Sequence, residues 1–148
     1  MSQLPAVQIS GLTKSYGNKR VLENLDLTVP AGTVLSLLGP NGAGKTTVVE
    51  ILQGLRRRGG GTVSVLGEDP GRAPRAWRAR IGVVSQTSAD LKDLTVAEAV
   101  GHVARFFSRP ADAAEIIDRV GLSDDAGTRA SRLSGGRRRR LDVALAII

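Results

Sequence analysis

Cysteine is absent from this 148-residue chain. That excludes a disulfide scaffold and a thiolate metal site, and it suits a reducing compartment. Aromatic residues are scarce: one Trp, one Tyr and two Phe. Single-strand nucleic-acid binders stack bases on aromatics interleaved with cations, so no nucleic acid is expected as a partner. Long apolar runs are missing too. The stretch "TVLSLLG" (33–39) falls far short of the ~20 residues that span a bilayer. The opening "MSQLPAVQIS" has neither the basic segment nor the apolar stretch of a signal peptide. The expectation is a chain that does not itself cross a membrane.

What is present fits a globular class. Apolar residues make up 41% of the chain and the net charge is +7. The cations cluster in "RRRGGG" (56–61) and "RRRR" (137–140). Such runs usually form solvated faces, although a basic surface also favours nucleic acid, acidic headgroups or phosphorylated ligands.

Residues 7–10, 12–16 and 21–29 carry short, partly alternating apolar runs broken by "YGNKR". They predict antiparallel strands with a turn at Gly17–Asn18. The nearly continuous apolar run "TVLSLL" (33–38) predicts a strand buried on both faces. "VVEILQGL" predicts a helix ending near Gly54, "GTVSVLG" (61–67) a strand, "RAWRAR" a short basic helix or loop, and "IGVVSQ" (81–86) a further buried strand. Helices follow. Thr95-x-x-Glu98 is a capping box ahead of a face of Val96, Val100, Val103 and Phe107. Pro110 and Gly121 bracket a second helix with Ala113, Ile116, Ile117 and Val120 on its apolar side. A third carries Leu141, Ala144, Leu145 and Ile148 on one face.

Gly39-Pro40-Asn41-Gly42-Ala43-Gly44-Lys45-Thr46 matches G-x-x-x-x-G-K-[ST] in full, between a strand-like run and a helix pattern. The glycines let backbone N–H groups turn inward around phosphates, and the helix N-terminus offers roughly half a positive charge to the anion. Lys45 is placed for the β- and γ-phosphates and the Thr46 hydroxyl for Mg²⁺. A second anion-type helix start lies at Leu133-Ser134-Gly135-Gly136. One small nucleotide needs one such loop, so the second is expected to serve a nucleotide held by another copy.

"GPNGAGKTT", "VVSQ" and "LSGGRRR", in this order and spacing, resemble the ATP-binding subunits of ABC transporters, above all those of drug-export and multidrug systems. The resemblance covers essentially the whole chain. It implies an α/β fold: a P-loop NTPase core with an N-terminal antiparallel β subdomain (1–89, with the Walker A core) and an α-helical subdomain (90–135). A signature helix (134–148) follows, and the C-terminal part of the core is missing. It further implies ATP and Mg²⁺ as ligands, and hydrolysis coupled to transport, with export favoured. The implied partners are a second ATP-binding subunit and a separate transmembrane permease, with the subunit at the inner face of the cell membrane.

Residue by residue, Tyr16 stands where the family's aromatic stacks on adenine. Gly39 to Thr47 form the Walker A loop. Gln86 is the Q-loop glutamine that senses Mg²⁺ and the γ-phosphate, and Leu133 to Gly136 close on the ATP of the partner subunit. Arg137 replaces the usual Gln, an exposed extra cation expected to be tolerated. The family hydrolyses ATP with a strand ending in Asp, a catalytic Glu beside it and a switch His, all after the signature. "EIID" (115–118) is the nearest apolar run ending in Asp, but it falls in a helix pattern and Arg119 follows it. Glu50, Glu68, Glu98 and Glu115 lack the strand context, and His102 precedes the signature in an amphipathic helix. The expectation is a fragment that binds nucleotide without turnover.

Other readings remain. One is a non-catalytic nucleotide-binding remnant. Another is a translation-factor relative with two cassettes. A DNA-repair ATPase would insert a coiled coil between Gln86 and Ser134, but only 48 positions separate them and no heptad run is present.

Overall fold

The computed structural model describes residues 4–84 and 91–148. The chain divides into two compact units, Met1–Arg78 and Ala79–Ile148.

The first unit opens with strand β1 (Val7–Tyr16) and strand β2 (Lys19–Val29), joined by the turn expected at Gly17–Asn18. Strand β3 (Gly60–Val65) pairs with the other edge of β1, giving an antiparallel sheet in the order β2-β1-β3. In register, Val7 faces Val29 on one side and Val65 on the other, and Ile9 faces Leu27 and Val63. One face carries the buried side chains of Ile9, Leu12, Leu22, Val63 and Val65. Each such side chain contributes about 1.5–3 kcal/mol of transfer free energy when fully buried. The ladder slips between Ile9 and Leu12, where Gly11 N–H donates to Asp26 Oδ1 at 2.7 Å instead of to a strand carbonyl. Helix α1 (Lys45–Leu52) buries Thr47, Val48 and Ile51, and helix α2 (Arg75–Arg78) buries Trp77, whose Nε1 donates to the Val65 carbonyl at 2.8 Å.

The strand expected at 33–38 does not form, and the one expected at 81–86 does not form over its described part, 81–84. Residues 33–38 have no regular structure and are all exposed, Val34 at 98% and Leu38 at 90%. Residues 81–84 are likewise irregular, with Val83 exposed. An apolar run becomes a strand only where a neighbour supplies ladder partners and faces to cover it. Among the described residues no strand pairs with either segment.

The second unit is helical: α3 (Val96–Ala104), α4 (Ala113–Arg119) and α5 (Gly135–Ile147), with single 3₁₀ turns at Ser123–Asp125 and Ala130–Arg132. Its core joins Val96, Ala99 and Val100 of α3 to Ile116 and Ile117 of α4 and to Leu141 and Ala144 of α5. Leu122, Ala130 and Leu133 close it from the connections. The capping box is formed as expected: Glu98 N–H donates to Thr95 Oγ1, and Thr95 N–H donates to Glu98 Oε2. The Glu98 carboxylate accepts from the Thr95 N–H and also from the Thr95 hydroxyl, and these bonds, the backbone one first, hold it below the usual carboxylate range. The next free N–H groups of α3, on Val96 and Ala97, go to the carbonyls of Thr128 and Ala126. Phe107 lies beyond the end of α3, so the expected apolar face is shorter than the sequence period suggests. The 115–118 run lies in α4 as read, and the Asp118 carboxylate accepts the Ser123 hydroxyl at 2.9 Å.

Candidate nucleotide and signature sites

The phosphate loop occupies residues 39–46, between the irregular segment 33–38 and α1. Its shape depends on two left-handed glycines. Gly42 has φ +83° with open space where a Cβ would stand. Gly44, the residue that caps α1, has φ +88°, and a Cβ there would meet Leu22 Cδ2 at 2.8 Å and Val21 O at 3.0 Å. Gly44 therefore has two independent reasons to be glycine: a conformation that costs an L-residue energy, and a strand lying against it.

Lys45 opens α1 and folds back over the loop. Its Nζ donates to the carbonyls of Gly39 and Pro40, both at 2.7 Å. An ammonium held this way is placed by the loop itself, and both carbonyl contacts can be exchanged for phosphate oxygens. Asn41, Gly42, Ala43 and Thr46 are exposed around it. Thr47 faces inward, 8% exposed, with its Oγ1 at 3.5 Å from the Tyr16 hydroxyl.

Tyr16, at the end of β1, is 41% exposed and has cations over its ring: Lys14 Nζ at 5.3 Å and Arg56 Cζ at 5.2 Å from the centroid. Arg56 is held there by an ion pair with Glu50 of α1, and the hydrogen bond it donates to the Glu50 carboxylate is the main reason its guanidinium is held above its ordinary pKa. Sequence reading identifies Tyr16 but misses Lys14, Glu50 and Arg56. Nothing in a six-residue spacing from helix to loop announces that pair.

In the second unit Ser134 caps α5, its Oγ accepting from Arg137 N–H at 3.4 Å. Ser134, Gly135 and Gly136 are exposed, whereas Leu133 is buried in the helical core and anchors the turn from below. The arginine run 137–140 is not a plain solvated face. Arg137 Nη1 donates to Asp125 Oδ1 at 3.1 Å, and Asp125 is only 8% exposed. Arg138 Nη2 reaches the carbonyls of Ser131 and Leu133, and Arg140 Nη1 reaches that of Gly121. The extra cation at 137 is thus paired, and its side chain ties the start of α5 to the turn after α4. Asp125 carries no sequence signal that separates it from neighbouring Asp124. Gln86, the expected Q-loop residue, lies outside the described residues.

Known proteins supply the frame for these sites. The family described as "ABC transporter" matches residues 22–148. Among curated proteins, the daunorubicin resistance ATP-binding protein DrrA2 of Streptomyces coeruleorubidus is 44% identical over 97% of this chain and 46% of its own length. The daunorubicin/doxorubicin resistance ATP-binding protein DrrA of Streptomyces peucetius is 42% identical, with 97% and 45% covered. The Nod factor export ATP-binding protein I of Rhizobium johnstonii is 38% identical, with 97% and 48% covered. The chain spans about half the length of the curated relatives it matches. Among solved structures, the ATP-binding subunit of an ABC transporter superposes with a TM-score of 0.81 at 22% identity, over 95% of this chain and 61% of the other. A bacterial Atm1-family ABC exporter with ATP bound gives 0.82 at 24%, over 99% of this chain and 28% of the other. At these identities the superpositions establish the fold, and together with the family match they make this chain a member of the ABC transporter family with the architecture of its ATP-binding cassettes.

Proposed function

We propose that this chain is the nucleotide-gripping part of an ATP-binding subunit that powers export through a separate membrane permease. The observation that carries the reading is the loop at 39–46: two left-handed glycines and a lysine whose ammonium already sits on the Gly39 and Pro40 carbonyls. When ATP arrives, Lys45 exchanges those carbonyls for β- and γ-phosphate oxygens, and the N-terminal amides of α1 complete the cradle. Tyr16 offers its exposed ring to adenine while Arg56, fixed by Glu50, supports it. The exposed Thr46 hydroxyl, at the first turn of α1, fits a Mg²⁺ ligand, and Gln86 is the second. A Mg²⁺ held by these residues would offset negative charge on the β- and γ-phosphate oxygens.

The exposed Ser134, Gly135 and Gly136 amides serve the ATP of a second copy. Export is favoured because relatives are named for drug resistance and Nod factor export. The work of the subunit is then at the inner membrane face, against the permease. The 148-residue chain alone binds without turnover: the nearest candidate for an apolar strand ending in Asp, 115–118, is helical, and its Asp118 carboxylate is engaged with Ser123.

Thermal unfolding with and without ATP·Mg²⁺ tests the binding. At a ligand concentration 100 times Kd, the complex gains about 2.7 kcal/mol, and Lys45→Ala removes that gain. A Lys45→Ala protein protected as well as the unaltered chain would overturn the proposal. Phosphate release near 1 s⁻¹, a low but ordinary enzyme rate of roughly that order, would overturn the claim of no turnover.

A further inference from the structure

We propose that the cleft between the end of α1 and the start of β3 is a second anion site, distinct from the phosphate loop, that takes a phosphate-bearing group. The cleft has a volume of about 410 Å³ and is lined by Arg56, Arg57, Arg58, Gly59, Asp69 and Arg72, among others. That is the size range of a small-ligand pocket, and four of the nine lining residues are arginines.

The charges in the cleft do not cancel. Arg56 is paired with Glu50, and Arg58 grips Asp69 through two parallel bonds of 2.7 and 2.8 Å. Among the described residues no carboxylate lies within ion-pair distance of Arg57 or Arg72, and both are exposed. Two of the cations lining the cleft are therefore left without a carboxylate partner. Arg72 is near enough to Asp69 to help Arg58 depress that carboxyl, but the hydrogen bonds to it come from elsewhere: Oδ1 accepts from Arg58 Nη1 and the Gly71 N–H, and Oδ2 from Arg58 Nη2.

The backbone that carries these cations is fixed. Gly59 N–H donates to the Thr13 carbonyl at 2.8 Å, Lys14 Nζ donates to the Arg57 carbonyl at 2.8 Å, Arg58 Nε to Gly61 O at 3.0 Å, and Arg72 N–H to Asp69 O at 3.0 Å. Gly59 and Gly60 lie so close to β1 that a Cβ would meet Thr13 atoms at 3.1 and 2.8 Å. Two free guanidinium forks on a rigid frame suit the tetrahedral oxygens of a phosphate, because each fork can donate two parallel bonds to one such group. Carboxylates could meet one fork, but a phosphate presents oxygens to both. The ligand is a free phosphate anion or the phosphate of a lipid headgroup. The site does not depend on the reading of the phosphate loop.

The test uses the whole chain carrying Lys45→Ala, so that the phosphate loop is disabled. One arm titrates pyrophosphate and follows backbone amide and arginine Nε–H shifts. The other measures co-sedimentation with phosphatidylcholine vesicles containing one-quarter phosphatidylglycerol, against vesicles of phosphatidylcholine alone. Arg57→Gln with Arg72→Gln touches no hydrogen bond of the fold and is the decisive variant. Arg105→Gln with Arg109→Gln removes the same charge elsewhere.

The expected result is shifts centred on residues 56–60 and 69–72, and at least a tenfold loss of binding in the cleft variant in one arm or both. The charge-matched control stays within twofold. Loss in the vesicle arm alone assigns the lipid headgroup, and loss in the pyrophosphate arm alone assigns the free anion. No binding in either arm would overturn the proposal. So would equal losses in cleft variant and control, or shifts confined to residues 39–46. Retained binding in the Lys45→Ala background separates this site from the nucleotide loop.

Discussion

Replacing Gly44 with alanine puts a methyl group where the structure has no room for it. The backbone there is left-handed at φ +88°, which costs an L-residue about 1–2 kcal/mol. The new Cβ would stand 2.8 Å from Leu22 Cδ2 and 3.0 Å from Val21 O. Leu22 is a buried sheet residue and Val21 O is backbone, so relief requires core or strand movement, worth a further ~1–3 kcal/mol. The total is about 2–5 kcal/mol. Gly42→Ala is the internal control. Its φ is +83° but nothing lies within 4 Å of the added atom, so only the conformational cost of about 1–2 kcal/mol applies. Urea unfolding followed by tryptophan fluorescence reads both, because Trp77 is the chain's one tryptophan, 2% exposed and in the same unit. With a slope of ~2 kcal/mol/M, Gly44→Ala lowers the midpoint by about 1–2.5 M and Gly42→Ala by about 0.5–1 M. Equal shifts for the two variants, or no shift at Gly44, would refute the packing argument.

Three further outcomes follow from the same structure. Leu122→Ala removes a fully buried side chain from the helical core and costs about 2–5 kcal/mol, measured by urea unfolding on the helical circular dichroism signal. Asp69 titrates at about 2, below its ordinary 3.8, chiefly because of the Arg58 hydrogen bonds. A depressed carboxylate stabilises the fold above the unfolded value and ceases to do so as pH falls through the folded one, so Asp69→Asn flattens acid unfolding between about pH 4 and pH 2, checked by acid titration of both proteins. Asp125→Ala frees the Arg137 side chain from its buried anchor. Amide exchange at residues 135–138 then speeds up, while that at residues 45–52 of α1 does not change.

Local signals carried much of the fold. The alternation through 7–29, the glycine after α1, the Thr95 capping box and the 141–148 face each specify an element through contacts inside that element or with its neighbour. The misread segments, 33–38 and 81–84, are those whose strand character depends on partners elsewhere. Apolar content shows that a segment wants covering, and says nothing of what covers it. The site divides in the same way. Gly44, Lys45 and Ser134 are legible because their geometry is encoded in consecutive residues. Glu50 beneath Arg56 and Asp125 beneath Arg137 are not, since each partner comes from tertiary folding of an ordinary charged residue.

The proposed role of the loop around Lys45 is to grip a triphosphate. Amide chemical shifts during titration of the chain with ATP·Mg²⁺ test it at residue resolution. Saturable shifts are expected at Gly42, Gly44, Lys45 and Thr46, lost in Lys45→Ala. Silent amides at 39–46 under saturating ATP, or the same shifts in Lys45→Ala, would contradict it.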